Sequence, residues 1–302
     1  MQAVNLSAVG MFDYVRLTGA DAIGFLQGQA SCDVQKLTDC HSLPGALCNI
    51  KGRVIADFRL LKMPDDSLLL QTCVGMGQKI IDTLARYAVF SKVELQLSNG
   101  PTAVFGIING PQTEVFRQYF PSATIEIDTV QHSNDYTMIC LPGSGLRHEI
   151  WCHNNWAVER LGQLPGLQSP DHSSAWNRQD ILAGTVHVRP ETSEKYTPQL
   201  LNYDLSGVID FNKGCYTGQE VVARMHYRSK AKKRLYLLRS KQSLAEIDMG
   251  KVVILSAVAD ESGQDAVALG IISTKFAAEN PSWTLAERHS PISLQEFKYR
   301  TT

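Results

Sequence analysis

The chain has 302 residues, 44% of them hydrophobic, enough to bury more than one core and so to form two or three domains. Its 29 basic and 30 acidic residues leave a formal charge of −1, which excludes a protein built mainly to coat nucleic acid and allows only a local basic patch. No run of about eighteen apolar residues occurs, so no membrane span is expected. The opening MQAVNLSAVGMFDY has neither a basic nor a continuous apolar stretch, so no signal peptide is expected and the expected location is the cytoplasm.

Taken in chain order, Thr18 with Asp21 three residues on predicts a capping-box helix start, followed by the apolar residues Ile23, Phe25 and Leu26. ALCNI and RVIADFRLL read as strands around a Lys51-Gly52 hairpin turn, and Met63–Asp66 turns into a third strand, LLLQTC. Ile80, Ile81, Leu84, Tyr87 and Ala88 predict a helix over 76–90. Three strands followed by a helix is the order of an α+β domain, not of a doubly wound sheet. Asn109-Gly110-Pro111 opens a second segment, with a short helix, strands at TIEIDTV, DYTMICL and RHEIWC, and a helix over 154–163. Residues 164–173 read as a surface connector and 174–183 as a helix. After Lys233 short apolar stretches alternate with turns, as in a small all-β module. The predicted domains are therefore 1–110, 111–234 and 235–302.

The seven cysteines lack a CxxC pair, so reduced thiols are expected. Cys32, Cys40 and Cys48 fall at eight-residue steps, which reads as packing, because zinc and iron–sulfur sites begin with ligands about two to four residues apart. The eight histidines have no ligand spacing either, and no metal is expected.

One stretch concentrates chemistry: Gly207 to Glu220, ending Lys213-Gly214-Cys215-Tyr216-Thr217-Gly218-Gln219-Glu220. Thr217 and Glu220 have capping-box spacing, which places Cys215 about one turn before a helix N-terminus. Unpaired N–H groups there, with Lys213 and Arg224 nearby, favour a thiolate. Read instead as packing, Cys215 is one more buried cysteine.

KGCYTGQE at 213–220 resembles the signature of the YgfZ family of folate-binding proteins. LTGADA at 17–22, FLQGQ at 25–29, CNIKGR at 48–53, YAVFSKV at 87–93 and PQLLN at 198–202 also resemble it, so the likeness runs from about Leu17 to Leu235. The resemblance implies the fold of the glycine-cleavage T-protein: α+β, three domains around a central channel, with a small C-terminal β-barrel. It also implies bound tetrahydrofolate or a folate derivative, and a role in sustaining iron–sulfur enzymes, including those that modify tRNA.

Under that resemblance Trp176 and Phe12 stand where family members carry aromatic residues, and an aromatic face suits a flat pterin. Arg178, Lys213, Tyr216, Gln219, Glu220 and Arg224 are the further expected folate contacts, and Cys215 the reactive group. As ordinary residues, Trp176 and Phe12 would be core. The basic run Arg224, Arg228, Lys230, Lys232, Lys233 and Arg234 offers a site for a polyglutamate tail or tRNA phosphates, and otherwise is a solvated face. Two functions compete. In the first, the protein is a monomeric folate-binding accessory factor with no defined reaction, supporting iron–sulfur client enzymes through Cys215. In the second it is a tetrahydrofolate-dependent one-carbon transferase, with Asp57 near the acid that the T-protein uses on its folate substrate. A third reading makes it a structural partner of tRNA-modifying enzymes, bound through the basic run.

Overall fold

The computed structural model describes residues 1–5, 11–164, 172–244, 252–259, 265–284 and 291–299. Most of the expected connector, residues 165–171, lies outside the described residues. The architecture is α+β, built on three five-stranded antiparallel sheets. Among the described residues no helix is long and apolar enough to cross a membrane.

The chain begins with β1 (Gln2–Asn5), which joins the second sheet, and then enters the first. That first sheet holds β2 (Phe12–Thr18), then, after helix α1 (Ala22–Gln27), β3 (Leu43–Cys48), β4 (Val54–Lys62) and β5 (Leu68–Cys73). Helix α2 (Gly77–Ala85) leads to its last strand, β6 (Glu94–Ser98), and the order across the sheet is β3-β4-β5-β2-β6. The expected turn between β3 and β4 forms on Gly52, whose φ of 68° suits glycine, and the Asn49 side chain accepts from the Lys51 and Arg53 amides.

The second sheet holds β7 (Ala103–Ile108) and, after α3 (Glu114–Tyr119), the strands β8 (Val130–His132), β9 (Tyr136–Leu141) and β10 (Arg147–Cys152), in the order β1-β7-β10-β9-β8. Helices α4 (Asn155–Gly162) and α5 (His172–Ala183) follow, and α6 (Gln219–Arg228) leads into the third sheet. There β11 (Lys233–Ser240), β12 (Val252–Ala259), β13 (Ala266–Ser273), helix α7 (Thr274–Glu279), β14 (Ser282–Trp283) and β15 (Ile292–Gln295) give the order β12-β13-β11-β15-β14.

Several local expectations are corrected. The 76–90 helix stops at Ala85 and ends in a separate 3-10 turn, with Phe90 99% exposed; of the Tyr87–Phe90 tail, only Ala88 packs on the core. In the expected strand 124–130 only Val130 is in a strand, because Asp128 has a φ of 69° and Thr129 bonds back to the Glu126 carbonyl. The Thr18–Asp21 capping box does not form; Asp21 instead accepts from the Lys92 amide at 2.7 Å. Among the described residues the C-terminal strands form a five-stranded sheet with β12 and β14 at its two ends.

Two apolar clusters hold the sheets around a common space. Leu61 and Leu69 of the first sheet pack with Val104, Ile139 and Trp151 of the second and with Trp176 of α5. Ala46 and Val54 of the first pack with Leu235, Leu237 and Leu269 of the third through Ile181, Val188 and Tyr203. Burial of these side chains, about 1.5–3 kcal/mol for each large one, ties the three sheets into one framework.

Candidate functional site

A cavity of about 890 Å³ opens where the three sheets meet. Phe12, Asp57 and Gln71 line it from the first sheet, Arg147 and Glu149 from the second, and Arg239 from the third. Trp176, Asp180 and His187 complete one wall. The size lies within the range of about 300–1,000 Å³ typical of small-molecule sites, and the mixture of aromatic and polar groups is that of a site for a flat, hydrogen-bonding ligand.

Four charged groups form a chain along this wall. The Arg147 guanidinium pairs with Asp180 Oδ1, and its Nε donates to the Pro142 carbonyl at 2.7 Å. Asp180 Oδ2 lies 3.3 Å from His187 Nε2, and His187 Nδ1 lies 3.6 Å from Asp57 Oδ2. The other Asp57 oxygen accepts the Val188 amide at 2.5 Å. Burial works against both charged partners, but the surroundings prevail. Arg147 and then His187 hold the Asp180 carboxyl down at about 2, and Asp180 with Asp57 holds the His187 imidazole well above its ordinary value. Glu149 differs: burial pushes its carboxyl up, only partly opposed by the Trp151 indole N–H, 2.6 Å away, and the Gln71 amide.

Arg147, His148 and Glu149 are consecutive and buried in β10, whose six residues are all buried. Three polar side chains in a strand of this kind are stable only with partners, so RHEIWC carried a sequence signal for a polar interior that periodicity alone passes over.

Cys215 occupies a different place. Lys213 turns inward, its ammonium donating to the Gln27 carbonyl at 2.7 Å and the Ala30 carbonyl at 2.5 Å, at the C-terminal end of α1 where carbonyls lack helical partners. Burial lowers its pKa. Tyr216 lies beneath, its ring centroid 5.0 Å from the ammonium. The Thr217 amide donates to the Gly28 carbonyl, and its hydroxyl donates to Gln29 at 2.9 Å. That bond replaces the expected capping box: Gly218, not Thr217, precedes α6, and no side chain caps it. Gly218 has a φ of 85°, and a Cβ there would collide with the Asn49 carbonyl oxygen. The loop is thus strapped to α1 and to the β3–β4 turn, leaving Gly214 and Cys215 exposed at its crest.

Of the expected folate contacts, Phe12 and Trp176 come together at the cavity. Phe12 is half-buried with its ring edge-on to His187, whereas Trp176 is 1% exposed and lies 4.4 Å beneath the Arg147 guanidinium. Lys213, Tyr216, Gln219, Glu220 and Arg224 are not among the cavity-lining residues: the first two are built into the loop, Gln219 is half-buried at the start of α6, and Glu220 and Arg224 face solvent. Arg178 also lies off the cavity wall, bonded to Asp265. Sequence adjacency to a signature does not carry a side chain to the ligand space when the loop is anchored elsewhere.

Of the seven cysteines only Cys40 and Cys215 are exposed. Burial pushes the thiols of Cys32, Cys48 and Cys152 up to about 12. Brief alkylation of the native protein near neutral pH is therefore expected to modify Cys40 and Cys215 alone, read by peptide mass spectrometry. Rapid labelling of Cys32 or Cys48 would contradict the packing described.

The fold and its central cavity define a class. The chain superposes on the glycine cleavage system aminomethyltransferase T from Bartonella henselae with a TM-score of 0.74 and 14% identity, over 98% of this chain and 85% of that one, so the fold is T-protein-like. No family model matches the chain. Among curated proteins it is 31% identical over 231 residues to the tRNA-modifying protein YgfZ of Hamiltonella defensa subsp. Acyrthosiphon pisum, covering 75% of this chain and 67% of the relative. The counterpart from Colwellia psychrerythraea is 31% identical, over 76% of this chain and 69% of its own. That from Escherichia coli O157:H7 is 28% identical, over 93% and 90%. The chain belongs to the YgfZ family.

Proposed function

We propose that this protein is a folate-binding accessory factor that supports assembly or repair of iron–sulfur clusters in client enzymes, tRNA-modifying ones included, through the thiol of Cys215. The observation that carries the folate half is the cavity, whose size and lining of Phe12, Trp176, buried amide and carboxyl groups suit a pterin with its aminobenzoate extension. When bound, a reduced folate would supply one-carbon or reducing chemistry. The chain's own residues would seat the ring against Phe12 and meet its polar edges from Gln71 and Glu149. Three units, 1–110, 111–234 and 235–302, would frame that space, with β1 contributed to the second sheet. We place the protein in the cytoplasm as a monomer, with the basic run after Arg224 facing RNA.

The competing reading, a one-carbon transferase using Asp57, draws support from the position of Asp57 on the cavity wall. Against it, one Asp57 oxygen is occupied by the Val188 amide and the other faces His187, so no free carboxylate stands ready as a base.

Isothermal titration with tetrahydrofolate tests the folate half. Phe12→Ala is expected to weaken binding roughly tenfold, through lost ring contact. Trp176→Ala is a poor probe, since removing a buried tryptophan costs about 3–5 kcal/mol of stability, so Trp176→Phe is the companion variant. No heat of binding with the wild type would remove the folate reading. Unchanged affinity in both variants would place the ligand elsewhere.

A further inference from the structure

The basic run has more form than its sequence implied. Arg224, Arg228, Lys230, Lys232 and Lys233 are exposed, and among the described residues none of them has an ion-pair partner. The acids around them are few or engaged: Asp204 is held by Arg234 in a two-point pair at 2.5 and 2.9 Å, Asp210 by Lys36 at 2.6 Å, and Glu220, the one acid on α6, stands one turn before Arg224 without an ion pair to it. In a chain of net charge −1 this is a concentrated positive surface.

Positive charge selects polyanions without choosing among them. The choice comes from the aromatic groups beside it. The rings of Phe211 and His226 stack 3.9 Å apart and 19° from parallel, and Tyr227 stands edge-on to both, 5.9 and 4.8 Å away. His226 also lies 3.6 Å from Asp204, so the stack is fixed at its base by the carboxylate that Arg234 holds. Tyr227 is 68% exposed. Arg224 lies three residues before it, on the same face of α6, and Arg228 follows it in sequence on the neighbouring face. A solvated ring braced by other rings, with a guanidinium on its own helix face and further cations along the same surface, is an arrangement for an unpaired base with its neighbouring phosphates. An acidic tail has nothing to stack, and a fully paired duplex hides its base faces.

We propose that this surface binds the unpaired loop of a structured RNA, with a base stacked on Tyr227 and the adjoining phosphates on Arg224, Arg228 and the lysines of the 230–233 segment. This deepens the RNA half of the proposed function and is independent of the folate half, which is read at Phe12 in the cavity.

Fluorescence anisotropy of the full chain with a labelled RNA stem-loop, and with a perfectly paired RNA duplex of equal length, tests it across a salt series. The stem-loop is expected to bind more tightly. Tyr227→Ala is expected to weaken the stem-loop about tenfold, leaving the duplex and the salt slope unchanged, and Tyr227→Phe to restore it. Lys232→Gln with Lys233→Gln is expected to weaken both RNAs and flatten the slope by about 0.7–0.9 per lost phosphate contact. These side chains are exposed, so the variants should fold, and a thermal melt checks that. Equal binding of both RNAs with no effect of Tyr227→Ala overturns the proposal. So does absence of RNA binding near physiological salt, or displacement of the RNA by a polyglutamyl folate, which would assign the surface to the folate tail. The first two outcomes do not involve the cavity, and the third requires folate to bind, so each is distinct from failure of the folate reading.

Discussion

A bacterial strain lacking this gene and supplied with Cys215→Ala, at an abundance matched to wild type, is expected to make no more methylthiolated tRNA than the empty strain, while wild type restores the product. The tRNA modification is the readout because an iron–sulfur enzyme makes it, and mass spectrometry of tRNA nucleosides measures it. The expectation is sharp because the substitution is structurally mild. Cys215 is exposed, its neighbour Gly214 faces open space, and the bonds that hold the loop belong to Lys213 and Thr217. Loss of one solvated sulfur should change stability by no more than about 0.5 kcal/mol, and folate affinity in the cavity should be unaltered. Cys40→Ala, the other exposed thiol, is the matched control and should rescue fully. Equal rescue by Cys215→Ala would make the thiol incidental and move attention to the cavity and the basic surface. Rescue by wild type alone would justify a search for a mixed disulfide or a cluster held between Cys215 and a client.

How far such a site can be read beforehand depends on the range of the interactions that make it. The turn at Gly52, the strands β3, β4 and β5 of the first sheet and helices α4 and α5 follow from local signals, whereas β2 and β6 of that sheet were not read from the sequence. The 213–220 segment was visible as a motif because its residues are contiguous. Its internal geometry was not visible. Thr217 has the spacing of a cap, but its hydroxyl meets Gln29, 188 positions away in sequence, and a tertiary partner outcompeted the local one. The same holds for Lys213, whose position beside Cys215 suggested a neighbouring charge although its ammonium is bound to α1. The cavity is non-local throughout: Asp57 and Val188 meet across 131 positions, and Arg147 reaches Asp180 from another element. Periodicity sees each as a lone polar residue. Trp176 and Phe12 show a further limit, since a residue type names an aromatic surface without saying how much of it remains open. Trp176 is covered by Arg147 and the core, whereas Phe12 keeps part of its ring accessible.

The charged chain on the cavity wall sets the second large effect. Arg147→Met is expected to destabilise the protein by about 3–5 kcal/mol, because it leaves the Asp180 carboxylate buried with only His187 against it. That is a large share of the roughly 5–15 kcal/mol that holds a typical domain folded. The double variant Arg147→Met with Asp180→Asn removes both charges together and should recover much of the loss, since the cost lies in the stranded charge and not in the missing contact. Urea unfolding followed by circular dichroism measures both. Equal loss in the single and double variants would show that Arg147 matters for packing on Trp176 and not for charge balance. The same chain predicts the dependence on pH. Asp180, held at about 2 in the folded protein against about 3.9 unfolded, contributes stability that is complete above the unfolded value and lost as pH falls toward 2. His187 has the opposite sign. Its raised folded value contributes stability that is complete below about 6.5 and lost as pH rises through that folded value. Between these limits the pair should give a plateau. In His187→Gln the alkaline decline due to this residue should vanish while the acid limb persists, and an unchanged alkaline limb would show that His187 does not carry its proton between the two carboxylates.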